Sequence, residues 1–258
     1  AAEHDVWIYE LTDHPENPIL VGTWDGEYFH DIEVFNNKLY GAAIYSGQFY
    51  ILDVSDKTSP ETILIHQTGG VMTHDCAVTY DEHYLITADE TSGGHIKIWD
   101  ISDYDNINLV AEYMTNPNHS AHNIYVRPGT DLLIMSYYAD GTRILDISEP
   151  TNPLEVAYYD TTEIEGVYVG NWGTYAYLPS GYIISSDIES GKLFVLSTSL
   201  LIAPPELEYT VNNTDFALGS GESASGTLSI SNTGDIDSEL NYFLATSPFS
   251  TAGGSDSF

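Results

Sequence analysis

The sequence predicts an all-β fold: a β-propeller of four-stranded blades with a period of about 45 residues, followed by part of an immunoglobulin-like β-sandwich. Two repeated landmarks and a bias in residue type predict it. An apolar–apolar–Asp–apolar–Ser/Thr signature recurs as ILDVSD (Ile51 to Asp56), IWDISD (Ile98 to Asp103) and ILDISE (Ile144 to Glu149), with a weaker YELTD at Tyr9 to Asp13. About 20 residues after successive copies comes a His-Asp or His-Asn pair, His30-Asp31, His74-Asp75 and His122-Asn123, each opening a short apolar run. β-branched and aromatic residues alternate with Gly, Asn, Asp and Pro turns, and helix signals are almost absent.

Taken in order, Val6 to Leu11 and Ile19 to Trp24 predict the last two strands of a unit. The second unit is complete: His30–Phe35, Lys38–Tyr45, Gln48–Val54 and Glu61–Gln67, with Asn36-Asn37 and Ser46-Gly47 as turn signals. The third runs over His74–Thr79, His83–Ala88, His95–Ile101 and Leu109–Tyr113. The fourth covers His122–Val126, Asp131–Tyr137, Thr142–Ile147 and Glu155–Tyr159. A fifth has Gly173–Leu178, Tyr182–Ser186 and Lys192–Leu196. Three whole units and two partial ones do not close neatly, so the propeller expected in residues 1–199 lacks upstream blades. Ala203-Pro204-Pro205 reads as a linker, and Leu207 to Phe216 and Ser223 to Ser231 as strands. SNTGDIDSELNYFL, Ser231 to Leu244, reads as a tight turn between two strands of the sandwich. Residues 200–249 are therefore a partial β-sandwich accessory domain, and 250–258 a linker or disordered tail.

Composition narrows the function classes. Six lysines and arginines face 39 acids, a net charge of −33. Such a surface repels phosphate backbones and anionic lipid, which argues against nucleic-acid partners, and it attracts divalent cations. No apolar run approaches transmembrane length and no signal peptide is recognisable, so no direct membrane insertion is expected. The single cysteine, Cys76, excludes an internal disulfide framework and falls where the other repeats have Ile32 and Ile124, as a small core residue would.

The runs SAHNIYV (Ser120 to Val126), MSYYADGTRILDISEPTNPLEVAYYDT (Met135 to Thr161) and GNWGTYAYLPSGYIISSDIESGKLFVL (Gly170 to Leu196) resemble the LVIVD-repeat, or choice-of-anchor B, proteins; ITADE (Ile86 to Glu90) does so too. The resemblance covers about Val6 to Leu196 and implies a secreted or cell-surface bacterial propeller, with no established activity to carry over. The chain departs from the pattern at Asn171-Trp172, where a histidine is expected. The segment from Glu206 resembles the accessory sandwiches of such proteins.

Three chemical readings follow. If the first strand of each blade lines the channel, His30, His74 and His122 point to one end of it, with Glu90 or Asp89 on the adjacent strand. Three imidazoles with a carboxylate suit one divalent transition metal (Zn, Fe, Cu or Mn), and Glu90 could serve as ligand or general base of a metal-dependent enzyme. Asp31 and Asp75 point the other way and reach a partner only across a neighbouring sheet. The second reading gives each histidine a structural hydrogen bond to the next sheet, as in WD-type propellers. It leaves the propeller an extracellular binding or scaffold module for a protein, peptide or glycan. The third is self-assembly through the terminal units. Asp53, Asp100 and Asp146 are expected as turn caps. His119, His66, His83, His95, His4 and His14 do not recur in register and are expected at the surface or in loops. Calcium could sit in the acidic loops of Asp13, Asp56 and Asp103, although no calcium-loop spacing is present.

Overall fold

Strands with apolar side chains on both faces have to be covered on both faces, which forces sheets to stack. The structure, a computed structural model, describes residues 5–12, 15–70, 72–201, 207–212, 227–232, 249–251 and 254–256. His4, Asp13, His14, Ala203-Pro204-Pro205 and residues 233–244 of the expected sandwich turn lie outside them. The chain divides into two compact units: Ala1–Leu178 with Tyr182–Ser197, and Pro179–Gly181 with Thr198–Phe258.

The first unit is a series of antiparallel sheets, each formed by strands adjacent in the chain. The first pairs β1 (Val6–Glu10) with β2 (Ile19–Trp24). The second orders β3 (Asp31–Phe35), β4 (Lys38–Ala43), β5 (Gln48–Asp53) and β6 (Glu61–Gln67). The third orders β7 (Thr73–Val78), β8 (Tyr84–Asp89), β9 (Ile96–Asp100) and β10 (Asn108–Tyr113). The fourth has β11 (Ile124–Val126), β12 (Leu132–Ser136), β13 (Thr142–Asp146) and β14 (Leu154–Tyr159), and the fifth β15 (Asn171–Tyr175), β16 (Ile183–Asp187) and β17 (Leu193–Leu196). The described residues hold strands, turns and bends and no helix.

Local chemistry explains the repeat. Asn36 and Asn37 both take positive φ, +45° and +61°, the conformation a two-residue hairpin between β3 and β4 needs and asparagine tolerates. The Asp-Xaa-Ser of each landmark closes the third strand. Asp53 accepts from the Ser55 amide at 2.8 Å, Asp100 from Ser102 at 3.0 Å and Asp146 from Ser148 at 2.9 Å. These are Asx turns, and they bend the chain toward the fourth strand. All three complete sheets carry an irregularity between third and fourth strand, at Ile51/Leu52, Leu109/Ala111 and Ile144/Leu145, which increases twist at the outer edge.

The core lies between sheets. Val6 of the first sheet packs with Phe29 and with Leu39, Tyr50 and Leu52 of the second sheet. From the other face of the second sheet, Tyr40, Phe49 and Ile51 meet Cys76, Leu85 and Trp99 of the third. Beyond it, Ile86, Ile96 and Ile98 meet Ile124, Leu133 and Leu145 of the fourth. Adjacent residues such as Leu85 and Ile86 thus serve opposite interfaces, the signature of blades stacked face to face. First strands lie innermost, β7 packing beside both β3 and β11. This is the β-propeller arrangement.

The second unit has β18 (Leu207–Asn212) paired antiparallel with β19 (Thr227–Asn232). A short pair, β20 (Phe249–Thr251) with β21 (Gly254–Asp256), lies in the segment expected as a linker or tail.

One buried ion pair tests the packing. Lys97 Nζ sits 2.6 Å from Asp89 and donates to the Thr68 carbonyl at 3.2 Å. Lys97→Ala should cost about 3 to 5 kcal/mol in urea unfolding by stranding a buried carboxylate, whereas Lys97→Met with Asp89→Leu should recover most of that.

Candidate functional site

Each inner strand begins with the His-Asp or His-Asn pair, and the two residues of a pair have different surroundings. The histidines form a row. The His30 and His74 ring centroids are 4.2 Å apart, and those of His74 and His122 are again 4.2 Å apart, with interplanar angles of 43° and 38°. Trp172 continues the row, 4.7 Å from His122. The tryptophan therefore takes up, in the fifth sheet, the place for which the repeat pattern leads one to expect a histidine. His74 and His122 are each 2% exposed, while His30 is open to solvent. His74 lies at a break in register between Thr73 and Asp75, a bulge that re-aims its ring.

Glu90 faces this row from the end of β8. Its Oε2 lies 3.7 Å from His74 Nε2 and its Oε1 3.7 Å from His122 Nε2. The Tyr138 hydroxyl donates to Oε1 at 2.5 Å. Two non-glycine residues with left-handed backbones hold these groups. Met72, at φ +67°, accepts the Glu90 amide on its carbonyl at 2.8 Å, and Tyr138, at φ +32°, accepts the Asn171 amide at 3.0 Å. Strain of this kind collects where a site has to be held in one geometry.

The ligand atoms of His30, His74 and Glu90 lie within 4.8 Å of one another. His122 stands outside this trio at the far side of Glu90, because the imidazoles form a row rather than a triangle. Asp89 turns away to Lys97 and Thr73. Nδ1 of His74 and of His122 is buried without a hydrogen bond. Burial first, and the neighbouring imidazoles second, lower the His74 pKa from 6.5 to about 2. At His122 burial lowers it to about 4, partly offset by the Trp172 backbone and Asn123. Both rings are neutral at physiological pH.

The partner residues of the pairs knit the sheets together on the other side of the strands. The Asn123 amide donates to Asp31 at 2.9 Å and to Asp75 at 3.2 Å, and Asp75 also accepts the amides of Cys76 (2.7 Å) and Ile124 (2.8 Å). A cavity of about 250 Å³ opens beside them, lined among others by Glu33, Tyr125 and Tyr177. Burial raises the pKa of Asp31 and of Asp75, the latter further through the Asp31 charge, and lifts Glu33 to about 7. The Val78 amide donates to Glu33 at 2.6 Å.

His119 lies in a loop, as expected, but is buried there as a clamp: Nδ1 lies 2.8 Å from Asp140 and Nε2 2.9 Å from Glu165. His66 lies in β6 and is half-buried, packing on Phe49 and Trp99. A local scan of sequence could not pair His119 with acids 21 and 46 residues away. Tyr138 was also legible in principle, because it stands at the same offset from His122 as Glu90 does from His74.

The buried groups fix a pH dependence. His74 and His122 contribute stability that is complete above about 6.5 and is lost as the pH falls toward their folded values, since the unfolded chain takes up the protons. Glu33 works in the opposite sense: its contribution is complete below its ordinary 4.5 and lost as the pH rises through about 7. Glu33→Gln removes that opposition. Its stability in urea should fall faster than that of the native chain between pH 6.5 and 5, by up to about 1.4 kcal/mol per pH unit; parallel curves would contradict the assignment.

The LVIVD repeat model matches residues 30–68 and 137–161. The first match is the second sheet in full and the second includes β13 and β14. Among curated proteins the chain has no match. Similar solved structures include one described as "Structure of U3-55K", at 14% identity over 68% of this chain and 54% of that one, TM-score 0.42. Another is "Crystal structure of RRP9 WD40 repeats", at 13% identity over 66% of this chain and 51% of that one, TM-score 0.39. The chain spans about half the length of each. Two segments of the chain are thus similar to the LVIVD repeat, and both lie in four-stranded sheets of the β-propeller.

Proposed function

We propose that the propeller is an extracellular binding module that takes its ligand at the mouth where the histidine row ends the inner strands. The observation that carries this reading is the unbroken row His30–His74–His122–Trp172 with exposed aromatic rings at both of its ends. At one end Tyr28 stacks on Tyr45 at 5.7 Å and meets His30 edge-on; at the other, Tyr168 packs on Tyr138 beside Trp172. Trp172 is 49% exposed and Tyr45 77%. Large rings left this open, beside a rigid and strained floor, offer flat faces to a sugar or to an apolar side chain. The net charge of −33 disfavours a phosphorylated or anionic ligand, which leaves neutral or cationic peptides and glycans. Repetition of a rigid blade suits scaffolding, and the resemblance to choice-of-anchor B proteins supports a place outside the cell.

The test is binding of the untagged chain to a panel of oligosaccharides and peptides, repeated with Trp172→Ala and Tyr28→Ala. A ligand bound at the mouth should lose tenfold or more in affinity in Trp172→Ala, in keeping with about 1.4 kcal/mol or more for one large ring contact. A ligand indifferent to both substitutions would move the site elsewhere.

A further inference from the structure

We propose that the mouth holds one divalent first-row transition ion on two histidines and one carboxylate, His30, His74 and Glu90, with Tyr138 holding the second oxygen of Glu90 and His122 standing beside it, outside the ion's ligands. This deepens the reading of the mouth as the ligand site and shares only that location with it.

The division of labour follows from distances. One ligand atom each of His30, His74 and Glu90 lies within 4.8 Å of the other two, and His122 is not part of that group. His74 Nε2 and Glu90 Oε2 are 3.7 Å apart, beyond hydrogen-bond range. Two ligands about 2.1 Å from one tetrahedral ion stand about 3.4 Å apart, so this pair needs only a small contraction. The larger adjustment falls to His30, whose ring is exposed. Oε1 is already engaged: Tyr138 donates to it at 2.5 Å, and His122 Nε2 approaches to 3.7 Å.

Burial supports the same assignment: His74 is 2% exposed, and its Nε2 lies beside Glu90 without a hydrogen bond to it. The bulge at His74 and the left-handed backbones of Met72 and Tyr138 fix the donors in advance. Among the described residues Glu90 pairs with no lysine or arginine, and the chain's charge draws cations toward it. Two imidazoles and a carboxylate leave positions open toward solvent on the His30 side, the donor set of borderline ions such as Zn²⁺ and Fe²⁺.

The experiment is to strip the untagged chain with chelator, reload it with Zn²⁺ or Co²⁺, and measure stoichiometry by elemental analysis, affinity by titration calorimetry and the visible spectrum of the Co²⁺ form. One ion per chain is expected. His74→Ala and His30→Ala should each weaken binding at least 100-fold, and Glu90→Gln at least tenfold. His122→Ala should keep one ion and lose tenfold at most. Since the His30 ring is exposed, His30→Ala tests the site even if His74→Ala unfolds. Loss in His122→Ala equal to that in His74→Ala would replace the proposal with a three-histidine centre. Binding unchanged in His30→Ala, or no stoichiometric ion in the native chain, would overturn it. Trp172→Ala should retain the ion, so failure of the peptide or glycan reading is separately visible.

Discussion

The contact on which the mouth depends is the amide of Asn123 reaching two carboxylates. By donating to both Asp31 and Asp75 it ties the second, third and fourth sheets together at their innermost strands. Each tied residue follows directly on a histidine of the row, so fixing the amide–carboxylate contact also fixes where the rings begin. An asparagine is needed in one of the three places. Three carboxylates at that spot would repel; burial first, and the Asp31 charge second, already raise the pKa of Asp75. The amide supplies the donor that a third acid would lack.

The same economy governs the few cations. With six lysines and arginines against 39 acids, an even scatter of surface pairs is not available, and three of the six, Lys38, Lys97 and Arg127, sit at joints between sheets. Lys38 reaches from the second sheet to Glu82 of the third unit, which also accepts from Asn36 and Tyr40. Lys97 is buried between Asp89 and the Thr68 carbonyl. Arg127 donates to the carbonyls of Ala176 and Leu178, joining the fourth unit to the fifth. Arg143 meets Glu155 and Asp160 and lies over the Tyr158 ring at 4.6 Å. Exposed pairs contribute little to stability, so concentrating the cations where their partners are desolvated makes each one matter more.

Much of this was legible in the sequence. The strands from Val6 to Leu196 follow from alternation and turn residues, and the landmark aspartates act as the turn caps their Asp-Xaa-Ser setting implies. The histidine row follows from its register in the repeat. The shape of the site was less legible. Period-two reasoning says which strand a residue starts and which way it points, but not how far apart neighbouring inner strands lie. That spacing turns three convergent histidines into a line and leaves Glu90 between two of them. Tyr138 was hidden because an acid in one repeat is answered by a phenol in the next, and Trp172 because the pattern is broken there. His119 and its acids are long-range partners with no local signature.

The Asn123 contact also bears on how such a chain can lengthen. A new blade made by faithful duplication of the third unit would bring a second copy of Asp75 to the next inner strand, where the fourth unit now offers an amide. The copy would set acid against acid at the axis, and the enlarged array would start its existence destabilised. A copy that carried Asn there would keep an amide donor in place, whereas one that carried Asp would add a third carboxylate to the two that Asn123 already serves.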